Sequence, residues 1–420
     1  MGRRRILMLT TDTGFGGAER SFSNVCGILA ERHEVQACIF SQKEAGHFPV
    51  PVPLHELKIP RGDNLLDKGR RLVERVQRVR ELKRSLRVDV CISFLEGADY
   101  VNALSRTQER VIFSIRGSRR FDEHICGPMG TLRQKVFFPL ALRSPDAIVA
   151  LSEGVGREMK QWYRIPESIP IHVIHNFFDT DAISAQGNEP VEVPVHSFFQ
   201  RREVLVSHGR LSGEKGLHHL IDVLAVLRRQ RPSVALVLVG DGPARQQLRD
   251  WARARGLNQA DFEGASGAIP LDTDVLFLGH RANPFRYLSR AKLYLLASTA
   301  EGFGNAILEA MICGVPVVCV DCPYGPREIL APGTARPPRL NAPERAAHGV
   351  LMPMFAGAPD LPQVIEVWAN TLSRLLSDPE ERTILVAQGY LRSRDFHTDR
   401  IAQRWHELIE TCTTPRTQRR

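Results

Sequence analysis

The sequence predicts an α/β protein of two doubly wound domains, each with a parallel sheet between layers of helices. Short runs that are apolar on both faces alternate with longer amphipathic segments, as buried parallel strands alternate with crossover helices. The alternation occurs twice along the chain. Its 420 residues also exceed what one ordinary core requires, so two domains are expected.

Ten apolar runs are the predicted strands. The first half of the chain contains RRILMLTT, EVQACIF, VDVCISFL, RVIFSI and DAIVALS. The second half contains EVLVSHG, ALVLVG, VLFLG, LYLLAST and VPVVCVD. Intervening segments such as ERSFSNVCGILAERH and GLHHLIDVLAVLRRQ are long enough to be crossover helices.

The join between the domains is predicted at residues 180–200, which show little periodicity and contain a glycine and two prolines. We therefore expect an N-terminal domain over 1–180, a C-terminal domain over 200–395, and a helix with a basic tail over 396–420. The proline-rich stretch APGTARPPRLNAPERAAHG is predicted to be a surface loop. The last residues, TTPRTQRR, are predicted to be disordered.

Composition indicates a soluble globular protein, with 43% hydrophobic and 25% charged residues. No apolar run approaches the roughly 20 residues that a membrane span needs. The start, MGRRRILMLTT, is interpreted as a first strand and not a signal peptide, because its apolar part is short and no cleavage site follows. The eight scattered cysteines fit reduced thiols. A single CxxC, Cys319 and Cys322, is better explained by small residues at a strand end than by zinc.

The net charge of +9 lies mostly in the first half, where residues 1–180 contain 28 Lys+Arg against 21 Asp+Glu. This suggests an anionic partner there, such as phosphate groups, anionic lipid or nucleic acid; a solvated basic surface is the alternative. Residues 64–88 predict a basic amphipathic helix with nine basic and three acidic residues. Its apolar stripe either packs on the first-domain sheet, the commoner fate, or lies on an anionic membrane.

Two glycine-bearing loops follow predicted first strands. In TTDTGFGGAER the glycines permit a tight turn into a helix whose N–H groups can face an anion. Glu19 stands where a dinucleotide fingerprint requires a third glycine, and a plain strand-to-helix turn would look similar. In HGRLSGEKGLHHLI, Arg210 and Lys215 can neutralise two adjacent phosphates. The alternative, two exposed basic residues at a helix start, is disfavoured by the helix dipole.

The stretch EGFGNAILEAMICGVPVVCVD contains two carboxylates, Glu301 and Glu309, on either side of a predicted helix start. We predict a helix over Asn305–Cys313, with glycines that leave its amino end open to a phosphate. The neighbours of Glu309 are apolar, so simple exposure on the helix surface is not expected. A nucleotide sugar fits this pattern: a diphosphate at the helix end, hydroxyls near Glu301, and a diol near Glu309.

The combined pattern GGAER, GRLSGEKGL, GDGP, FLGH and EGFGNAILEAMICGVPVV resembles the family 4 glycosyltransferases, from about residue 5 to about residue 410. The resemblance implies the GT-B fold: two Rossmann-like domains face each other across a cleft, and a C-terminal helix crosses back to the first domain. It also implies transfer of a sugar from a nucleotide donor with retention of configuration, without a metal or other cofactor.

The resemblance implies a role for each matching residue. Arg210 and Lys215 would stabilise the diphosphate, Glu301 would hold sugar hydroxyls, and Arg210, Lys215 and Glu301 are the predicted catalytic residues. Glu309 would hold the ribose diol. The other predicted contacts with the nucleotide sugar, including backbone amides and the loop that holds the base, are Gly16, Gly17, Leu278, Arg281, Gly302, Phe303, Gly304 and Asn305.

One position departs from the family. Arg116 follows RVIFSI where many members have a histidine, and arginine cannot accept a proton at ordinary pH. Arg116 and Arg20 are predicted to bind the acceptor, and Arg116 could bind a phosphate of either donor or acceptor; an arginine exposed on a loop is the alternative. No metal site is predicted, because Asp272-x-Asp274 precedes the strand VLFLG instead of following one.

The expected partners are a nucleoside-diphosphate sugar, with UDP favoured, and a glycan or polyprenyl-diphosphate-linked acceptor. The resemblance suggests bacterial surface-polysaccharide, lipopolysaccharide or lipid-linked oligosaccharide assembly by a cytoplasmic enzyme, peripheral on the inner face of the plasma membrane. Three alternatives are a GT-B sugar-nucleotide epimerase, a nicotinamide dehydrogenase and a nucleic-acid-binding protein. The E-x7-E spacing, the broken glycine fingerprint and the lack of a recognition motif argue against them in turn.

Overall fold

The structure, a computed structural model, describes residues 2–14, 16–42, 48–118, 127–262, 264 and 267–413. The chain forms two compact units. Unit 1 runs to Asn176 and resumes at Asp399, and unit 2 is Phe177–Thr398. The C-terminal helix, Thr398–Thr413, thus belongs with unit 1 as predicted. Disorder was predicted for 413–420; Thr413 is the last residue of this helix, and 414–420 fall outside the described residues.

Unit 1 is a parallel sheet with strand order β3-β2-β1-β4-β5-β6-β7. The strands are β1 (Arg5–Thr10), β2 (Glu34–Ile39), β3 (Leu54–Glu56), β4 (Val90–Phe94), β5 (Arg110–Ile115), β6 (Ala147–Ala150) and β7 (Ile171–Val173). The helices are α1 (Gly17–Ala30), α2 (Leu65–Ser85), α3 (Glu96–Leu104), α4 (Gly127–Leu132), α5 (Phe138–Ala141) and α6 (Glu153–Tyr163). A π-helical turn, Arg133–Phe137, joins α4 to α5.

Unit 2 has strand order β10-β11-β9-β8-β12-β13-β15-β14, parallel except for the β14–β15 pair. Its strands are β8 (Glu203–His208), β9 (Val234–Val239), β10 (Gln259–Asp261), β11 (Val275–Gly279), β12 (Leu293–Leu296), β13 (Val317–Val320), β14 (Glu344–Ala346) and β15 (Gly349–Met352). Its helices are α7 (Thr180–Gly187), α8 (Val193–Arg201), α9 (Leu217–Gln230), α10 (Arg245–Ala254), α11 (Phe285–Leu288), α12 (Asn305–Ile312), α13 (Pro326–Leu330), α14 (Leu361–Ser377) and α15 (Pro379–Ser393).

The fold class is confirmed, and each of the ten predicted strands is present. Three details of the sequence interpretation are wrong. Residues 180–200 are mostly helical, as α7 and α8 of unit 2, because their short helices leave too little periodicity to recognise. The end of the proline-rich stretch forms β14, which pairs with β15. The short strands β3, β7, β10 and β15 were also missed. The first three have only three residues each, and β15 begins at the last residue of the proline-rich stretch that was predicted to be a loop.

The apolar stripe predicted for residues 64–88 lies on helix α2 and packs inside unit 1. Its side chains Leu72, Val76, Val79 and Leu82 pack in a cluster of unit 1 that includes Leu7 and Leu9 of β1. Packing on the first-domain sheet is therefore the fate of the apolar stripe. The basic residues of α2 lie mostly on its other faces, apart from Lys83, which is buried against Glu109 at 2.7 Å.

The strand order changes direction at the middle of each sheet, between β1 and β4 in unit 1 and between β8 and β12 in unit 2. In open α/β sheets, ligands bind beyond the carboxyl ends of the strands at such a switch point. The loop containing Arg210 and Lys215 follows β8, and the loop containing Glu301 follows β12. The fold thus brings two predicted motifs of unit 2, distant in sequence, to one edge of the sheet.

Candidate functional site

The loop after β8 is held tightly against the end of β12. A single turn of 3-10 helix, Gly213–Lys215, leads to Gly216, which has a φ of +61°. A Cβ at Gly216 would lie 2.3 Å from the carbonyl oxygen of Ala297, so no other residue fits without moving the loop. The Thr299 N–H also donates to the carbonyl oxygen of Glu214 over 2.9 Å. Loop and strand end therefore form one rigid corner.

Lys215 and Glu301 meet at this corner. The Lys215 ammonium donates to Glu301 Oε1 over 2.7 Å, and the Ser298 hydroxyl donates to the same oxygen over 2.7 Å. Burial lowers the pKa of Lys215, but attraction to Glu301 outweighs it, and the pKa ends above its usual value. Lys215 is therefore a fixed cation across the physiological pH range. Arg210, in the same loop, is exposed.

The predicted helix is α12, and it begins where the glycines allow it to. Gly304 precedes the helix with a φ of +99°, a conformation that side chains other than glycine seldom adopt. Gly302 and the buried Phe303 lie in the turn before it, and Asn305 is its first residue. The amino end of α12 therefore follows Glu301 directly, as the sequence predicts.

Glu309 is buried, with 6% of its surface exposed, so its exposure on the helix is ruled out. Its Oε2 lies 2.7 Å from His208 Nε2, the last residue of β8. Since a carboxylate only accepts, Nε2 carries the hydrogen in this bond. The sequence analysis missed His208, because a residue 101 positions away from Glu309 leaves no local signal. His208, Arg210 and Lys215 also line one small cavity beneath the loop.

The predicted base-binding loop has two quite different side chains. Leu278 is 1% exposed as a whole residue, so it is not open to a ligand, whereas the loop after it, from Gly279, is. Arg281 Nη2 donates to the carbonyl oxygen of Phe262 over 2.6 Å, and its Nη1 lies 3.7 Å from Glu192 Oε1. The guanidinium of Arg281 is thus engaged within unit 2, which leaves the backbone of this loop as the better candidate for contact with a base.

In unit 1, the glycine loop after β1 leads into α1. Gly16 precedes the helix in extended conformation, and Gly17 is its first residue. The side chain of Glu19 folds back over this turn, so that its Oε2 would lie 2.2 Å from a Cβ at Gly16. Arg20 is half-buried in the first turn of α1, and its N–H donates to the carbonyl oxygen of Gly16 over 3.0 Å.

Arg116, just after β5, is buried, which rules out the alternative of an arginine exposed on a loop; only 9% of its surface is exposed. Its guanidinium donates to Ser21 Oγ over 2.7 Å, to Ser114 Oγ over 3.3 Å, and to Asn176 Oδ1. It also lies over the Phe94 ring at 5.4 Å, and its Nε has no hydrogen-bond partner among the described residues. Burial lowers the pKa of Arg116 to about 9.

The described residues contain no group of three or more His, Cys, Asp or Glu side chains arranged to hold a metal. Asp274 of the Asp272-x-Asp274 pair forms ion pairs of 2.9 Å with Arg202 and 2.8 Å with Arg228. Cys319 and Cys322 are both buried at the end of β13, and burial raises the pKa of each thiol. Within the described part of the chain, no helix combines the length and the apolar character needed to cross a bilayer.

Two family models match the chain. The model for Glycosyltransferase Family 4 matches residues 15–182, and the model for Glycosyl transferases group 1 matches residues 190–342. Together they span well over half of the sequence in the order that the two units have. The chain therefore belongs to the family 4 glycosyltransferases, and its two parallel-sheet units are those of the GT-B fold.

Relatives and solved structures agree with this family. The chain is 26% identical over 246 residues to an uncharacterized glycosyltransferase of Methanocaldococcus jannaschii, a match over 57% of each protein, so it spans little more than half of that relative. It is 24% identical to the N-acetylgalactosamine-N,N'-diacetylbacillosaminyl-diphospho-undecaprenol 4-alpha-N-acetylgalactosaminyltransferase of Campylobacter jejuni, over 75% of this chain and 80% of that one. HepE of Anabaena, solved with UDP and glucose, shares the fold with a TM-score of 0.72 and 21% identity, over 97% of this chain and 100% of HepE.

Proposed function

We propose that this chain is a retaining, metal-independent glycosyltransferase. It moves a hexose or an N-acetylhexosamine from a nucleoside-diphosphate sugar, with UDP as the nucleotide, to a glycan or lipid-linked acceptor in α linkage. One observation carries the proposal: the loops after β8 and β12 bring Lys215 to Glu301, and β8 brings His208 to Glu309, at the switch point of unit 2.

Each group at this corner has a part in holding the sugar nucleotide. Lys215 and Arg210 supply positive charge to the diphosphate, together with the N–H groups at the start of α12. Glu301, fixed by Lys215 and Ser298, accepts hydrogen bonds from sugar hydroxyls. Glu309, fixed by His208, accepts from the ribose diol. UDP is the favoured nucleotide because HepE was solved with it.

The reaction needs no side-chain base. The bond between the anomeric carbon and the diphosphate breaks, and the acceptor oxygen bonds to the same face of that carbon. The acceptor proton passes to the departing phosphate oxygen, whose negative charge Lys215 and Arg210 stabilise. Lys215 cannot take this proton, since its raised pKa keeps it protonated. Catalysis is then a matter of positioning and of charge stabilisation.

For the acceptor, Arg116 favours a molecule that carries phosphate. A buried guanidinium is costly without an anion, and the described partners of Arg116 are neutral oxygens. A phosphate of the acceptor would supply the missing charge in bidentate form. Arg20 is next in sequence to Ser21, a hydrogen-bond partner of Arg116. The Campylobacter relative, by its name, uses a diphospho-undecaprenol acceptor. A lipid-linked acceptor would place this protein in the cytoplasm, at the inner face of the plasma membrane.

The proposal is tested by nucleotide binding and by nucleotide release. Calorimetry with UDP, GDP, ADP and NAD should show the strongest binding for UDP; binding of NAD alone would indicate a dehydrogenase. UDP release is then measured from UDP-glucose, UDP-galactose and their N-acetyl forms, with and without a polyprenyl-diphosphate-linked glycan. Release should require the acceptor, and the product should be the α anomer. Release with sugar epimerisation in the absence of acceptor would instead support the epimerase.

A further inference from the structure

A short helical segment of unit 1 exposes large apolar side chains on one face. The segment comprises α4, the π-helical turn and α5, and it is anchored by the buried residues Phe138 and Leu142. Phe138 meets the Tyr163 ring edge-on at 5.1 Å. Four other apolar residues are 40% to 57% exposed, and we call them the 132–140 face: Leu132, Val136, Phe137 and Leu140.

The spacing of these four residues is that of one helix face, with steps of four, five and eight from Leu132. Monomeric proteins seldom leave four large apolar side chains exposed within nine residues, and such a patch marks an interaction surface. The anchoring residues show that the segment is not loosely attached. Its exposed side chains are therefore held at the surface by a segment that is itself anchored, through Phe138, against Tyr163 of α6.

The charge around the 132–140 face identifies what it contacts. Residues 127–145 contain three basic residues and no acidic one, with Asp122 and Glu123 before this stretch and Asp146 after it in the sequence. Lys135 and Arg143 are exposed beside the apolar side chains, and Arg133 pairs with Glu96 at 2.9 Å. Apolar groups rimmed by cations suit the headgroup region of an anionic bilayer. A second copy of this chain fits less well, because a two-fold interface would bring these cations against their own copies.

We propose that the 132–140 face docks on an anionic phospholipid membrane, with the apolar side chains in the interface and with Lys135 and Arg143 against lipid phosphates. This deepens the proposed function, since it gives the lipid-linked acceptor a surface from which to enter. It also moves the membrane contact from α2, where the sequence suggested it, to a segment that the sequence analysis did not single out.

The test uses the full chain and sedimentation with vesicles of phosphatidylglycerol and phosphatidylethanolamine, or of phosphatidylcholine alone. Wild type should bind the anionic vesicles and release them at high salt. Phe137→Gln with Leu140→Gln leaves the charge unchanged and should weaken partition at least about tenfold. Lys135→Gln with Arg143→Gln should weaken it roughly tenfold and remove most of the salt dependence.

The matched control is Leu66→Gln with Val73→Gln on α2, residues that are 88% and 57% exposed and also lie among basic side chains. This pair should bind vesicles like wild type. Equal binding by the Phe137/Leu140 variant overturns the proposal, as does loss of binding only in the α2 variant. A wild-type dimer that the Phe137/Leu140 variant abolishes, with no vesicle binding by either, assigns the face to a second copy and also overturns it.

Calorimetry with UDP separates this proposal from the function on which it rests. All variants should bind UDP like wild type, because the UDP site is proposed in unit 2. Vesicle binding that depends on Phe137 and Leu140, without any binding of UDP, would leave the docking surface standing and refute the proposed transferase. If the protein bound UDP but its vesicle binding did not depend on the 132–140 face, the proposed transferase would stand and the docking surface would be refuted.

Discussion

The predicted sugar-nucleotide region of unit 2 and the predicted acceptor region of unit 1 differ in the partners of their buried charged side chains. In unit 2, Glu301 faces Lys215, and Glu309 faces His208, each at 2.7 Å. In unit 1, Arg116 is held by two serines and an asparagine, and burial lowers its pKa to about 9. Unit 2 therefore fixes its carboxylates by pairing them, whereas the described partners of Arg116 in unit 1 are neutral, and there we propose an anionic acceptor.

The largest effect should follow from removing Lys215. Lys215→Ala deletes the cation proposed to face the diphosphate and also releases Glu301, so we expect turnover to fall about 100-fold. Arg210→Ala, which removes an exposed cation of the same loop, should cost at least tenfold. Steady-state rates with a UDP-sugar measure both. Lys292→Ala, an exposed lysine before β12, is the control that should remain fully active.

Near-normal turnover in both Lys215→Ala and Arg210→Ala would refute the assignment of the diphosphate to this corner. Thermal unfolding of each variant should accompany the rates, because Lys215→Ala leaves a partly buried Glu301 without its cation. If activity fell only in proportion to the amount of folded protein, the loss would not support a role in leaving-group stabilisation. The decrease in turnover is therefore interpreted only for variants that unfold in a single thermal transition.

How far the sequence predicts this molecule differs between the same two regions. The doubly wound fold, the ten predicted strands, α12 and the position of Glu301 after a strand all follow from apolar periodicity and glycine placement. The pairing of His208 with Glu309 could not be predicted in this way. It depends on which strands are neighbours in the sheet, and local sequence patterns do not determine strand order. The burial of Arg116 is equally hidden, since its partners Ser21 and Asn176 are 95 and 60 residues away.

The second prediction separates the two carboxylates of unit 2. Glu309→Ala should weaken UDP binding roughly tenfold or more, because a buried acceptor for the ribose diol is lost. Glu301→Ala should keep most of the affinity for UDP and instead reduce turnover, because UDP lacks the sugar that Glu301 is proposed to hold. Calorimetry with UDP and steady-state rates decide between them. If Glu301→Ala lost UDP binding and Glu309→Ala kept it, the two roles would be reversed.

The third prediction concerns the unpaired cation of unit 1. Because the folded pKa of Arg116 lies below that of an unfolded arginine, the unfolded chain holds the proton more tightly, and the resulting penalty is fully present at pH 7 and shrinks above about pH 9. Arg116→Met should therefore leave the melting temperature unchanged or raise it. It should also raise the KM for a phosphate-bearing acceptor roughly tenfold, with UDP affinity unchanged.

A control for Arg116→Met is Arg143→Met, which removes an exposed arginine of the same unit and should leave the KM of a soluble acceptor unchanged. A clear loss of stability in Arg116→Met, with no change in acceptor KM, would make Arg116 a structural residue. The contrast with unit 2 would then disappear, since both regions would hold their charges only for the fold.

The smallest effect, none at all, is expected on removing metal ions. If Lys215, Arg210 and the start of α12 carry the charge of the departing diphosphate, a divalent cation has no task there. Carboxylates of unit 2 that could bind a metal ion are already paired with cations. Glu301 lies 2.7 Å from Lys215, and Asp274, of the pair Asp272-x-Asp274, forms ion pairs with Arg202 and Arg228. Initial rates should agree within error before and after dialysis against EDTA. Activity lost on chelation and restored by manganese or magnesium would show that a metal, and not the paired lysine, stabilises the leaving group.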